Sequence, residues 1–118
     1  MGNKRENTVG CRIGALLSSD DYAKRALFLG YGTYESDSVP PRGLPGFMGD
    51  LLHDAKRENP RFVMDNGNVV WGFQCWWCSE AEMQKVIAVM HENNYQIIEG
   101  SLEELISLNE DEGEIEGQ

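Results

Sequence analysis

The fold of this chain is constrained most by the segment Asp65–Glu80, which reads D-N-G-N-V-V-W-G-F-Q-C-W-W-C-S-E. Its Asn-Gly pair tolerates the positive φ angles that both central positions of a type I′ turn require, so the segment predicts a β-hairpin. The second strand of this hairpin is expected over Val69–Trp77, a stretch rich in apolar and aromatic residues. Because side chains alternate along a strand, Trp76 and Trp77 must point to opposite faces of the sheet.

The remaining stretches predict an α+β domain with a mostly antiparallel sheet built from two hairpins. Two capping boxes, Ser79 with Glu82 and Ser101 with Glu104, indicate where two helices begin. All helices are expected to pack on one face of the sheet. The other expected elements are a first hairpin of Val9–Ser18 and Arg25–Tyr34, an irregular loop of Glu35–Gly49, a helix of Met48–Glu58, and strands at Arg61–Met64 and Tyr95–Glu99.

Length and composition indicate one globular domain. A chain of 118 residues, 41% hydrophobic and 25% charged, is large enough to bury a core of its own. We expect a flexible N-terminus over residues 1–8, a single domain over 9–109 and a disordered acidic tail over 110–118. No apolar run is long enough for a membrane span and no secretory signal opens the chain, so a cytoplasmic location without a membrane partner is expected.

The charge distribution limits the partners. The formal net charge is −10, and the chain has no Lys or Arg from Glu99 onward. Nine of the ten basic residues lie within residues 1–61, and only Lys85 follows them. Binding to duplex DNA is therefore not expected, because that mode of binding needs a basic face that releases counterions. A small anionic ligand held by a few arginines is compatible with this distribution.

The C-x-x-C pair of Cys75 and Cys78 raises a metal hypothesis and a redox hypothesis. A zinc site would need Cys11 and a histidine, His53 or His91, but these candidates are scattered and a second closely spaced ligand pair is missing. A thioredoxin-like cysteine pair lies in a βαβ unit, between a strand and the helix that follows it. Here a strand before the pair and a helix after it are expected, but the rest of a βαβ unit is not. Buried, unreactive thiols are the preferred interpretation, and neither a metal nor a cofactor is predicted.

The stretch Gly30–Gly43 carries side chains that suit a nucleotide. Gly30 and Gly32 do not form a dinucleotide-binding fingerprint, because its third glycine is missing. The stretch suits a nucleotide in another way: tyrosines would stack on a base, a carboxylate would bind ribose and arginines would bind phosphate. A packed loop whose glycines serve tight bends is the equally weighted alternative. One tryptophan of the adjacent pair would add a stacking surface, unless both fill the core. The predicted ligand-binding residues are Tyr31, Tyr34, Asp37, Arg42, Arg57, Arg61, Gln74 and Trp76.

Three parts of the sequence resemble a family of small bacteriophage proteins. They are C-R-I-G-A-L-L-S-S-D at Cys11–Asp20, L-G-Y-G-T-Y-E at Leu29–Glu35 and N-G-N-V-V-W-G at Asn66–Gly72, the last continuing to C-W-W at Cys75–Trp77. The resemblance covers roughly residues 9–98. The family pattern around the tryptophans reads C-x-C-W-W-G, from which this chain departs at Phe73 and Cys78. That departure weakens the zinc hypothesis further, because Cys78 is then not a fixed part of the motif.

The resemblance implies a function by analogy only. Small acidic phage proteins are often anti-defence factors, so we expect a non-enzymatic protein that sequesters a nucleotide-derived immune signal, such as a cyclic ADP-ribose isomer or a cyclic oligonucleotide, in the host cytoplasm. No Ser-His-Asp or Cys-His arrangement can be assembled, so no catalytic residue is assigned. A homo-oligomer is expected, because a subunit interface would provide a deeper cavity than one small domain.

Two alternatives remain open at the level of the sequence. One is an acidic interaction protein that occupies a basic surface of a host defence protein in the manner of a DNA mimic. The other, less favoured, is a small zinc or redox protein.

Overall fold

The computed structural model describes residues 8–108. Residues 1–7 of the expected flexible N-terminus, residue 109 and the expected acidic tail 110–118 lie outside this range. The elements in chain order are β1 (Arg12–Asp20), β2 (Arg25–Ser38), α1 (Met48–Asp54), β3 (Asn59–Met64), β4 (Val69–Trp71), a 3₁₀ turn (Gly72–Gln74), β5 (Trp76–Ser79), α2 (Glu80–Glu92), β6 (Gln96–Glu99) and α3, described over 102–108.

The long strand β2 is the centre of a six-stranded sheet with the order β4-β3-β2-β1-β5. β1 pairs antiparallel along one side of β2. The other side is shared: β3 pairs antiparallel with Gly32–Ser38, and β6 pairs parallel with Arg25–Phe28. The predicted α+β class, with a mostly antiparallel sheet that contains two hairpins, is confirmed.

Hydrophobic residues are buried on both faces of the sheet. On one face Leu105 of α3 belongs to a cluster with Ile13 and Ala15 of β1, and on the other face Met83 of α2 packs with Leu16. The prediction that all helices pack on one face is therefore wrong. In β1 four consecutive residues are buried instead of alternating ones. Both faces of this strand must therefore pack against other elements.

The sheet curls around the cluster that contains Leu105. The Trp77 ring on β5 lies 4.8 Å from the Phe62 ring on β3 and 5.5 Å from the Tyr34 ring on β2, between ring centroids. In the strand order β5 and β3 are three positions apart, which would separate them by about 14 Å in a flat sheet. The curl therefore brings the two ends of the sheet onto one core.

The hairpin at Asp65–Asn68 forms as predicted, but its turn is not type I′. Gly67 has φ +90°, whereas Asn66 is not among the residues with positive φ. The Asn66 side chain instead accepts a hydrogen bond from the backbone N–H of Asn68 at 2.9 Å, which holds the turn locally.

The predicted strand over Val69–Trp77 is interrupted, which is the largest local difference from the sequence expectation. The backbone N–H of Trp71 donates to the side-chain oxygen of Gln74 at 2.9 Å, and the N–H of Phe73 donates to the Asn59 side chain at 2.8 Å. These side chains stabilise the 3₁₀ turn in place of ladder hydrogen bonds. As a result, β4 pairs with β3 while β5 pairs with β1.

The predicted capping box at Ser101 is observed in full, whereas at Ser79 only the N-cap half of the box forms. The Glu82 N–H donates to the Ser79 hydroxyl at 3.2 Å, and the Ser101 and Glu104 pair is reciprocal, with distances of 2.9 and 3.2 Å. α1 ends at Asp54, earlier than the predicted Glu58. Within residues 8–108, no helix has the length and apolar character that crossing a membrane requires.

Candidate functional site

Tyr31 and Trp76, two of the predicted stacking residues, lie on the face of the sheet that α2 covers. Tyr31 packs edge-on against Phe28, with ring centroids 5.2 Å apart. Trp76 pairs across the strands with Leu16, and its side chain is 54% exposed. Trp77 belongs to the opposite face, so the predicted opposition of the two tryptophans is confirmed.

Tyr34 and Asp37 are brought together, but as part of the core. Tyr34 is 6% exposed, and its hydroxyl donates a hydrogen bond to the Asp37 carboxylate. Burial, followed by this hydrogen bond, raises the pKa of Tyr34. The ring is buried against Phe62 and Trp77, so it is not exposed for stacking on a ligand.

Two of the three predicted phosphate-binding arginines are already paired with carboxylates. Arg42 forms an ion pair with Asp54, and Arg61 forms one with Glu35. The hydrogen bond from Arg42 holds the pKa of Asp54 below its usual value. Arg57 is exposed in the connection between α1 and β3. A phosphate at Arg42 or Arg61 would have to compete with the carboxylate already there.

The Gln74 side chain accepts the hydrogen bond from the Trp71 N–H that stabilises the 3₁₀ turn. The predicted ligand-binding residues are thus spread over both faces of the sheet and over the α1 region. The strand predicted over Arg25–Tyr34 is confirmed, but residues 35–38, expected at the start of the irregular loop, continue β2 instead. Apart from Tyr34 with Asp37, the predicted set is not gathered into one site.

The two cysteines of the C-x-x-C pair belong to different core clusters. Cys75 packs against the cluster of Leu105, and its thiol lies 3.6 Å from the backbone oxygen of Trp71. Cys78 is buried in the α2-side cluster. Burial raises the pKa of Cys75 to about 12, so this thiol is protonated and unreactive at neutral pH. Within the described part of the chain, no group of three or more His, Cys, Asp or Glu side chains is placed to hold a metal.

A groove beside α2 is the candidate binding site. It has a volume of about 480 Å³, and we call it the lysine groove. Its apolar wall is one side of α2, and its other wall is the end of the β1–β2 turn together with Tyr95. The lining residues are Lys24, Lys85, Val86, Val89, Met90, Asn93 and Tyr95.

The wall that contains Tyr95 is held in place by several contacts. The Tyr95 hydroxyl donates to Asp21, and the Tyr95 N–H donates to the Met90 carbonyl at 2.9 Å. The hydrogen bond to Asp21 raises the pKa of Tyr95. The Lys24 ammonium lies 5.2 Å from the centre of the Tyr95 ring, a cation–π contact. The aromatic ring and one cation are therefore preorganised at the groove.

The turn that presents Lys24 is also well defined. The Asp20 carboxylate accepts hydrogen bonds from the N–H groups of Tyr22 and Ala23, at 2.9 and 3.0 Å. Lys24 itself has φ +56°, and its carbonyl accepts from the Gln96 N–H at 2.8 Å, where β6 begins. Lys24 and Tyr95 are thus brought side by side by the parallel pairing of β6 with β2.

The sequence reasoning missed the lysine groove. Its residues come from two parts of the chain, Lys24 in a turn and 85–95 in and after α2, which the order of elements alone does not bring together. One available signal was the isolated basic residue Lys85, on the same helical side as Val89 at i+4.

The chain has no match among protein-family models, curated proteins or solved structures.

Proposed function

We propose that this protein is a non-enzymatic binding protein that holds a small anionic molecule with an apolar or aromatic body in the lysine groove. The observation that carries the proposal is the pairing of Lys24 and Lys85 at one cavity of a chain whose net charge is −10. Both charged residues among those that line the groove are lysines, so its lining is cationic although the net charge of the chain is negative. The sequence prediction of a ligand site is kept, but its residues change.

The size and chemistry of the groove support a ligand of nucleotide class. Its volume of about 480 Å³ lies in the range of about 300–1,000 Å³ that is usual for small-molecule sites. Val86, Val89 and Met90 offer an apolar surface for a ring, and the Asn93 amide offers a donor and an acceptor for its edge. The two ammonium groups would bind phosphate oxygens.

The resemblance to small bacteriophage proteins selects the ligands to test first. If the protein is an anti-defence sponge, the natural ligand is a cyclic ADP-ribose isomer or a cyclic oligonucleotide, bound and withheld from a host sensor. The expected homo-oligomer stays a prediction.

The test is a ligand panel measured by thermal shift and isothermal titration calorimetry. The panel contains cyclic ADP-ribose isomers, cyclic dinucleotides, adenosine monophosphate and inorganic phosphate. We expect at least one nucleotide to raise the midpoint of unfolding, since a ligand bound only by the folded state stabilises it. If no nucleotide of the panel binds, the nucleotide proposal is refuted.

Matched lysine variants assign the binding to the groove. Lys24→Gln and Lys85→Gln should each weaken binding, because each removes one cation from the lining. Lys56→Gln is the control, since Lys56 is an exposed lysine that follows α1 and does not line the groove. Equal loss in all three variants would indicate general electrostatic attraction instead of this site.

A further inference from the structure

The turn between β3 and β4 contains the one asparagine of the chain that precedes a glycine. Eight asparagines occur in the sequence, and only Asn66 is followed by glycine, at Gly67. A glycine has no side chain that could shield its backbone nitrogen from the asparagine before it. Residues 65–69 are all exposed, and a Cβ atom at Gly67 would meet no atom of the described residues 8–108 within 4 Å. Water therefore reaches this turn freely.

An asparagine in this setting can lose its amide in a reaction that needs only the chain and water. The Gly67 backbone nitrogen attacks Asn66 Cγ, so that an N–Cγ bond forms and the Cγ–Nδ2 bond breaks. Ammonia leaves with the hydrogen that the Gly67 nitrogen gives up, and a cyclic succinimide remains. Water then opens the ring. Hydrolysis at Cγ gives aspartate, whereas hydrolysis at the backbone carbonyl of residue 66 gives isoaspartate, in which the main chain runs through Cβ.

The folded turn holds both reacting groups away from each other. The Gly67 N–H donates to the Met64 carbonyl at 2.8 Å, and the Asn66 side-chain oxygen accepts from the Asn68 N–H at 2.9 Å. A third hydrogen bond, from the Met64 N–H to the Asn68 carbonyl at 2.8 Å, closes the hairpin. The attacking nitrogen must leave its acceptor and the side chain must turn, so the reaction in the folded protein requires local opening of the turn.

Arg12 fastens this turn to the rest of the domain. Its two terminal guanidinium nitrogens donate to the two carboxylate oxygens of Asp65, each at 2.7 Å, and one of them also lies 3.1 Å from a Glu80 oxygen. The Asp65 N–H donates to the Tyr31 carbonyl at 2.9 Å. A bidentate pair of arginine and carboxylate fixes direction as well as distance. The turn is thus tied to β1, to β2 and to the first residue of α2, and these ties limit its opening.

We propose that Asn66 is a deamidation site, and that Arg12 controls the rate of the reaction through Asp65. The aspartate product is compatible with the turn, because its carboxylate can accept the hydrogen bond from Asn68 in place of the amide. The isoaspartate product is not, because it adds a backbone carbon between β3 and the three-residue strand β4, whose register the turn sets. This modification is independent of ligand binding in the lysine groove.

The experiment incubates the full chain at mildly alkaline pH, folded in buffer and unfolded in guanidinium chloride, and follows each asparagine by peptide mass spectrometry. In guanidinium chloride we expect Asn66 to react before every other asparagine. In the folded protein Asn66 should react at least about tenfold more slowly, because several hydrogen bonds of the turn must open first. The proposal is overturned if another asparagine of the unfolded chain reacts as fast, or if folding leaves the rate at Asn66 unchanged.

Matched arginine variants test the control by Arg12. Each folded rate is divided by the rate of the same variant in guanidinium chloride. Arg12→Gln should raise this ratio about two- to fivefold, the effect of losing an exposed ion pair. Arg42→Gln is the control, because Arg42 is also an exposed arginine but pairs with Asp54, outside the turn.

A second variant, Asp65→Ser, removes the Arg12 ion pair from the other side and should give the same increase as Arg12→Gln. Circular dichroism shows which variants keep the fold, and a folded variant of either residue is sufficient for the comparison. The role of Arg12 is overturned if the folded variants react no faster than Arg42→Gln.

The two products of the reaction differ in their expected stability. They are separated by ion-exchange chromatography and unfolded in urea beside Asn66→Asp, which has the aspartate product without the reaction. The aspartate form should match Asn66→Asp, whereas the isoaspartate form should unfold at a urea concentration about 0.5–1 M lower. An isoaspartate form as stable as Asn66→Asp would contradict the role of the turn in setting the register of β4.

Discussion

The packing of α2 on the sheet depends on the absence of a side chain at Gly14. A Cβ atom at this position would lie 2.5 Å from Met83 Cγ, 2.6 Å from Met83 Cβ and 3.1 Å from Tyr31 Cδ1. Carbon atoms in contact prefer a separation of about 3.5–4.0 Å, so α2 would have to retreat by about 1 Å. Met83 is fully buried and cannot turn away into solvent.

Gly14→Ala should therefore destabilise the protein by about 1–3 kcal/mol, the usual cost of overpacking a core. The control is Gly100→Ala, because a Cβ at Gly100 lies no closer than 3.3 Å to Glu104 and Leu105 side-chain atoms. Both substitutions reduce the entropy of the unfolded chain alike, so their difference isolates the clash. Gly100→Ala is expected to change stability by about 0.5 kcal/mol or less.

The assay is urea denaturation followed by tryptophan fluorescence. In a Met83→Ala background the cost of Gly14→Ala should fall by at least about 0.5 kcal/mol, because the Cγ contact is gone while the Cβ contact remains. Since α2 also carries Lys85, Gly14→Ala should weaken ligand binding in the lysine groove. Equal stabilities of Gly14→Ala and Gly100→Ala, or a cost that does not depend on Met83, would refute the proposed packing.

Three further predictions concern the core, pH and thiol reactivity. Trp77→Ala should cost about 3–5 kcal/mol in the same denaturation assay, whereas Trp76→Ala should cost about 1 kcal/mol, because of the two only Trp77 packs against the core cluster. The hydrogen bonds from Arg12 lower the pKa of Asp65 from its usual 3.8, so the stability that they add is present above pH 3.8 and is lost as the pH falls below it. Asp65→Asn should therefore reduce the loss of unfolding free energy at acid pH, as urea denaturation at a series of pH values would show. Cys75 should react with iodoacetamide far more slowly in the native protein than in urea, as peptide mass mapping would show, because burial keeps its thiol protonated.

The features that could be predicted from the sequence are local ones. The helix N-caps at Ser79 and Ser101 depend on residues three positions apart, and the Asn-Gly turn depends on neighbours. The opposite orientation of Trp76 and Trp77 follows from strand alternation alone. These interactions are decided by short-range backbone geometry, so a single sequence is sufficient to find them.

The break in the strand after Trp71 could not be predicted in the same way. The 3₁₀ turn is stabilised partly by Asn59, which lies fourteen positions before its hydrogen-bond partner Phe73. The sequence pattern of alternating apolar residues across Gly72 favoured a continuous strand. Side-chain hydrogen bonds that form only in the folded chain outweighed the strand preference of that pattern. The chain turns at these bonds, and β5 lies at the opposite end of the sheet from β4.

The candidate site was decided by tertiary structure. Tyr34, expected to stack on a ligand, is buried because the curled sheet closes over it, and Arg42 and Arg61 are neutralised by carboxylates that folding brings near. The lysine groove exists because β6 returns parallel to β2 and places Tyr95 beside Lys24. By itself the sequence determined where the helix N-caps and the Asn-Gly hairpin turn lie, since these depend on neighbouring residues. The binding surfaces depend on contacts between residues far apart in the chain, and only the tertiary structure decides those.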